Sequence, residues 1–405
     1  MPTRWWFGTV GVIPGRYHHR VGLDDRTALA TLRAAFTGPD SDEVIGRIFT
    51  CWFALDPEIR DLFGADMTDQ RRTFGRVLDW LLGEFIAQRA DEPVSLLAQL
   101  GRDHRKYGAT KQHYETIAHA LFATWAAELG ELWTGPVEET ARDVVNLIAG
   151  VMIGAADAEG GPAWWEGTVV ELHRVSRDIA VVRLILDRPL DYQPGQYVNV
   201  QVPQVPRSWR YLSPAMPPDP EGRIEFHIRS VSGGMVSNAI VDETQIGDRW
   251  RISSAHGGLE VDRDGGDVLM VAGSTGLAPL RAIIMDLCRF GENPRVHLFF
   301  GGRYPCELYD LRTLWELAAT NPWLSVTPVS EYNTDPPWAA DYPDVAPPRG
   351  LHVRQKGLLP EVVSSYGGWG DRQILISGSR AMIAATREAL IAKGAAPQRI
   401  QHDPV

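Results

Sequence analysis

The sequence predicts three parts in order: an all-α unit, an antiparallel β-barrel, and an α/β unit built on a parallel sheet. Three observations carry this. From about residue 25 to 157, apolar residues recur at helical spacing with few β-branched runs. At Gly160-Gly161-Pro162 the texture changes to short alternating stretches, such as Thr168-Val169-Val170-Glu171-Leu172 and the run from Ala180 to Leu186, which continue to about Leu259. From Asp267 onward, apolar strand-like runs alternate with helical ones, the pattern of a parallel sheet with crossover helices. The boundaries read from these shifts are 1–24 for an N-terminal extension, 25–157, 163–263 and 267–403.

The elements follow in order. Residues 1–24 hold Trp5, Trp6, Tyr17, His18 and His19 and read as a loosely attached extension. Gly38-Pro39-Asp40-Ser41 opens a helix carrying Val44, Ile48, Phe49 and Phe53. Pro57 begins a turn ending at Leu62-Phe63, and Thr68 starts a helix with Phe74, Val77, Leu78 and Leu81. Pro93 starts another, on which Leu97, Leu100 and His104 share one face, and Gly108 ends it. Helices over 111–132 and 137–156 complete six or seven. In the last part, strands over 268–272, 296–300 and 374–377 alternate with helices from Ala278, over 311–319 and over 381–393. Residues 333–348, rich in Pro and Asp, read as a long surface loop.

Composition excludes several classes. The chain has 405 residues and a net charge of -11, which argues against nucleic acid as a partner. No apolar run approaches the roughly 20 residues of a membrane span, and the start lacks the apolar segment of a signal peptide. Cys51, Cys288 and Cys306 are too scattered for a disulfide framework or a paired-cysteine metal site, so cytoplasm is the default location.

The chemistry-bearing motifs lie in the last two parts. Gly273-Ser274-Thr275-Gly276-Leu277-Ala278-Pro279 joins a strand to a helix. Glycines there admit a diphosphate, and the helix start offers free N–H groups. Gly301-Gly302-Arg303 and Gly378 follow two other strands, at the edge where open sheets bind ligands. The middle part carries Pro194-Gly195-Gln196-Tyr197, then Arg210-Tyr211-Leu212-Ser213, then His227-Ile228-Arg229, then Gly233-Gly234-Met235-Val236-Ser237. A guanidinium and a helix start are what a diphosphate needs. Each motif alone has a plain reading, a tight turn or a solvated strand arginine; their order and spacing do not.

At these residues the chain resembles the ferredoxin-reductase-type flavin and nicotinamide module, over 165–403, with its Arg-x-Tyr-Ser, Gly-Gly-x-x-Ser and Gly-x-Thr-Gly-x-Ala-Pro motifs. The resemblance implies FAD at Gln196, Tyr197, Arg210, Tyr211, Leu212, Ser213, His227, Ile228, Arg229, Gly233, Gly234, Met235, Val236 and Ser237. It implies NAD(P)H at Gly273, Ser274, Thr275, Gly276, Arg303 and Gly378. The stretch from Pro57 to Phe63, with Asp69-Gln70, Leu100, His104 and Tyr114, resembles the globin half of flavohaemoglobins, so the likeness to that family spans about 25–403. It implies haem b with His104 as the iron ligand, Leu100 and Phe63 packed on it, Phe49 and Gln70 on the distal side, and Tyr114 near His104. His113 and His119 are the rival ligands, with structural roles expected.

Five departures from the family matter. Phe49 stands where a distal tyrosine is usual, and Phe74 adds bulk beside it. Ala156 stands at a proximal glutamate, with Asp157 one residue away. Ser377-Gly378-Ser379 replaces Cys-Gly-Pro. Leu212 replaces the tyrosine of Arg-x-Tyr-Ser, and the last residues match no aromatic segment. The expected activity is hydride transfer from NAD(P)H to FAD and electron transfer onward to haem. Its substrates are oxygen and nitric oxide, and its reaction is nitric oxide dioxygenation. The alternatives are a haem-based gas or redox sensor with a self-resetting reductase, and a flavin reductase whose globin is a haem-free scaffold.

Overall fold

A computed structural model describes residues 25–403 except 39, 65, 90 and 342–350. The N-terminal extension, Pro39 and part of the loop over 333–348 lie outside the described residues. Two compact units divide the chain, Met1–Gly160 and Gly161–Val405.

The described part of the first unit holds six α-helices: α1 (Arg26–Ala34), α2 (Ser41–Leu55), α3 (Thr68–Ile86), α4 (Asp91–His104), α5 (Lys111–Leu129) and α6 (Gly135–Ala158). The Asp25 carboxylate caps α1, accepting from the Thr27 and Ala28 N–H groups at 3.0 and 2.9 Å. The expected apolar faces meet in one core that includes Leu29, Leu32, Ile48, Leu82, Leu97 and Trp125. α4 crosses α6 at Gly101, where a Cβ would stand 2.2 Å from the Met152 carbonyl oxygen. Only glycine allows that approach, and it sets where His104, three residues on, comes to lie. His113 is used at the start of α5, where its Nδ1 accepts from the Thr110 N–H at 3.2 Å. His119 is exposed.

The second unit has two layers. Its first sheet contains β1 (Trp165–Ser176), β2 (Ile179–Leu186), β3 (Val198–Gln201), β4 (Arg210–Leu212), β5 (Arg223–Arg229) and β6 (Arg249–Ile252), with α7 (Met235–Glu243) between the last two. The order is β4-β3-β6-β1-β2-β5 with antiparallel pairs throughout. A bridge from Pro214 to Phe226 brings the end of β4 to β5, so the sheet nearly closes into a barrel. Then come β7 (Val268–Gly273), α8 (Leu277–Leu287), β8 (Val296–Gly302), α9 (Leu311–Thr320), β9 (Leu324–Ser330), β10 (Gln355–Lys356), α10 (Leu359–Ser365), β11 (Gln373–Ser377), α11 (Arg380–Ala392) and β12 (Ile400–His402). Their strands form a parallel sheet ordered β10-β9-β8-β7-β11-β12. β9 is an addition to the sequence reading. Pro328 inside it argues against a central strand, but the ladder pairs of β10 fall at Val329 and Ser330, beyond the proline.

A charged cluster fastens the barrel to the α/β layer. Glu225 of β5, 4% exposed, accepts from Arg183 at 2.6 Å, from Arg281 of α8 at 3.0 Å and from His227 Nε2 at 3.1 Å. Arg281 also pairs with Asp310 at 2.9 Å, and His227 Nδ1 meets the Tyr309 hydroxyl at 2.9 Å. Burial alone would raise the pKa of Glu225, but the His227 hydrogen bond and the Arg281 charge outweigh it and hold the value at about 2, against an ordinary 4.5. A depressed carboxylate stabilises the fold above its unfolded pKa and loses that contribution as pH falls through the folded one. The second unit is therefore expected to lose about 3 kcal/mol from this group between pH 4.5 and 2. Acid-unfolding curves check this: Glu225→Gln should be less stable at pH 7 and show a flatter pH dependence over that window.

Candidate flavin, nicotinamide and haem sites

Strand order reverses about β7, which leads by way of α8 to β8 on one side and has β11 on the other, so three strand-end loops share one carboxyl edge. Gly276 lies in the loop after β7. A Cβ there would stand 2.4 Å from the Ser377 carbonyl oxygen and 2.6 Å from the Gly378 nitrogen. The neighbouring loop's backbone, rather than the turn alone, demands a glycine. Ser274 holds φ at 52°, which a serine keeps only where its surroundings dictate it. α8 begins at Leu277 and presents its first N–H groups to this edge. Thr275 and Gly273 are half-buried beside it, and Arg303 is exposed at the end of β8.

Ser377 is hydrogen-bonded to the Asp403 carboxyl. The second Asp403 oxygen is buried without a hydrogen-bond partner among the described residues, and burial pushes the Asp403 pKa up despite the Ser377 contact. Asp403 escaped the sequence reading because it lies 26 residues from Ser377 and carries no motif. Its nearest signal was the departure at Ser377-Gly378-Ser379.

On the barrel, β4 pairs with β3 so that Leu212 faces Val198 and Tyr211 faces Asn199. Leu212 packs against the barrel core. Tyr211 points to the opposite face, 54% exposed, with its ring edge-on to Tyr197 at 5.1 Å. Arg210 is exposed and Ser213 half-buried, so both remain presentable to a ligand. Gln196 uses its amide oxygen within its own turn, accepting from Gln193 at 2.8 Å. Gly233 takes φ of 77° ahead of α7. Met235 is 67% exposed, while Val236 is buried and Ser237 donates to the Gly234 carbonyl at 3.2 Å.

Three residues expected at FAD are engaged with other parts of the second unit. His227 is taken up by Glu225 and Tyr309, and Ile228 lies in the barrel core. Arg229 is bonded to Asp178, Ser274 and Glu307. Strand alternation made their faces ambiguous, and long-range partners decided them. Tyr197, Tyr211, Arg210, Ser213 and the Gly233–Ser237 turn are the groups whose placement fits a flavin nucleotide.

In the first unit, His104 ends α4. Its Nδ1 lies 2.6 Å from the Leu100 carbonyl, which can only accept, so Nδ1 carries the proton. Burial lowers the His104 pKa and keeps the ring neutral, leaving Nε2 with its lone pair. Phe63, Phe74, Val77, Leu100, Tyr114, Ile117 and Val151 all pack on the core yet remain half-exposed, an apolar lining left partly uncovered. The Tyr114 hydroxyl is buried without a hydrogen-bond partner among the described residues, and burial pushes its pKa to about 12. Ala156 gives it no carboxylate, and Asp157 is exposed. Phe49, 2% exposed, sits among Trp52, Phe53, Phe63 and Phe74 at ring separations of 5.4 to 6.0 Å. Gln70 is exposed. A buried, neutral imidazole with a nitrogen lone pair, in a unit whose apolar core is left partly uncovered, fits a haem.

Gly276→Ala is expected to weaken NADH binding by about tenfold, the scale of a backbone overpacking cost, with flavin content unchanged. Equilibrium titration with NADH and the visible flavin spectrum check both halves.

Comparison with known proteins agrees with this layout. Residues 46–152 match the globin family, 166–261 the oxidoreductase FAD-binding domain and 270–388 the oxidoreductase NAD-binding domain. The reductase component of phenol 2-monooxygenase from Pseudomonas sp. (strain CF600) is 36% identical over 231 residues, 56% of this chain and 61% of that protein. The ferredoxin–NAD(P)+ reductase component of naphthalene 1,2-dioxygenase/salicylate 5-hydroxylase systems from Ralstonia sp. is 32% identical over 244 residues, 59% of this chain and 68% of that protein. The chain thus spans about two thirds of these relatives' lengths. In fold, the crystal structure of a flavohaemoglobin from Malassezia yamatoensis with bound FAD and haem superposes with a TM-score of 0.70, covering 94% of this chain and 99% of that one at 15% identity. The chain belongs to the NAD(P)H-dependent flavin oxidoreductases of the ferredoxin-reductase type, and it joins that module to an N-terminal globin in the flavohaemoglobin arrangement.

Proposed function

We propose that the protein carries electrons from NAD(P)H through FAD to a haem b held by His104, and that it uses them on oxygen and nitric oxide, as a nitric oxide dioxygenase. The observation that carries this is the His104 tautomer: Nδ1–H is committed to Leu100 and Nε2 is left as the donor an iron needs. When bound, FAD supplies hydride acceptance and single-electron release, and haem supplies an iron that takes diatomic gases. The residues around them do the rest. Gly276 and the α8 start admit and orient the dinucleotide, and Tyr197 and Tyr211 offer aromatic faces to the flavin. Phe49, Phe63 and Phe74 keep water from the distal side. The reductase relatives serve aromatic oxygenases, and an electron-delivering role for the second unit accords with that.

The distal wall favours a second reading. Phe49 cannot donate a hydrogen bond to bound oxygen and Gln70 is exposed, which suits a gas or redox sensor better than rapid turnover. Nitric oxide consumption by aerobic, NADH-supplied protein separates the two: sustained consumption supports the dioxygenase, and none beyond the first equivalent supports the sensor.

His104→Ala should abolish the Soret band while ferricyanide reduction by NADH persists; a retained Soret band would place the iron elsewhere. Phe49→Tyr should slow oxygen dissociation about tenfold, the worth of one added hydrogen bond, as stopped-flow displacement would read.

A further inference from the structure

Arg229 closes β5, and its guanidinium is committed to three chain segments. Nε donates to Asp178, in the turn between β1 and β2, at 2.9 Å. Nη1 donates to the Ser274 hydroxyl, in the loop after β7, at 3.0 Å. Nη2 donates to Glu307, in the loop after β8, at 2.9 Å. Glu307 is 2% exposed, and its other carboxylate oxygen accepts the Arg303 N–H at 2.8 Å. One guanidinium therefore ties the barrel to two of the three loops on the sheet's carboxyl edge. The residue it grips, Ser274, is the one held at φ of 52°.

Charge argues against a flavin role. Two carboxylates already surround the one guanidinium, so the cluster carries net negative charge and would repel a diphosphate. Its geometry instead suits a brace. Without Arg229, Glu307 is left buried and unpaired, and Ser274 is free to relax toward an ordinary backbone conformation.

We propose that Arg229 and Glu307 are a positioning pair that holds the Ser274–Gly276 loop in the shape that receives the nicotinamide nucleotide, and that Arg229 is not an FAD ligand. This rests on the carboxyl edge being the dinucleotide site. The test uses the full-length protein as Arg229→Gln, Glu307→Gln, the double variant and Arg229→Lys, which keeps the charge but not the three-way fork. Three quantities are read: flavin content, NADH dissociation constant, and hydrogen exchange of residues 273–277. Both single variants should keep their flavin, bind NADH about tenfold more weakly, the scale of a lost charge-assisted hydrogen bond, and exchange faster in that loop. The double variant should be no worse than either single one, and Arg229→Lys should fall between them and wild type. Loss of flavin from Arg229→Gln but not from Glu307→Gln would make Arg229 a flavin ligand and overturn the proposal, as would unchanged loop exchange in both. Failure of the wild-type protein itself to bind NADH would instead refute the dinucleotide site, and the exchange measurement would still decide whether the brace exists.

Discussion

The second unit depends on one buried carboxylate. Glu225 stands on the barrel, and Arg281 reaches it from the first helix of the α/β layer. Removing one partner of such a cluster leaves an uncompensated charge in a site that water does not reach, so the contact is all or nothing. It fixes the register between the barrel's tyrosine pair and the strand-end loops. The Arg229 brace repeats the logic a few residues along the same strand. Two arginines and two buried carboxylates thus give the barrel and the sheet a single relative placement, which hydride transfer across a cofactor boundary requires.

The first unit solves a different problem with less charge. Gly101 lets α4 approach α6 closely, and that approach places His104. The Leu100 carbonyl accepts the hydrogen bond from the His104 Nδ1–H, and a carbonyl is a weaker acceptor than a carboxylate. The His104 Nε2 is accordingly less basic than that of an imidazole backed by a carboxylate. With Phe49 buried in an aromatic cluster, the site offers shape and dryness more than hydrogen bonding, which is the physical content of the two functional readings.

Much of this was legible in the sequence where the cause is local. The change from helical to alternating apolar spacing near Gly160 marked the change of unit, and the glycines at 273, 276 and 378 marked the strand-end loops. Strand alternation puts Tyr211 and Leu212 on opposite faces, and the pairing of β4 with β3 agrees. What stayed hidden depends on distant partners. Arg229 finds Asp178, Ser274 and Glu307 at separations of 51, 45 and 78 residues, and no local pattern reports such pairings. The same holds for His227 and for Asp403. β9 carries Pro328, which breaks the strand pattern in the sequence, yet it pairs along its length with β8.

Electrons entering at the α/β layer should reach a haem in the helical unit. Rapid mixing of the purified protein with NADH under nitrogen, followed at flavin and Soret wavelengths, tests this most directly. Flavin absorbance should fall first, and the Soret band should then shift to its ferrous position in a second, dependent phase. Flavin reduction with a Soret band that stays unchanged, or no Soret band at all, would contradict it.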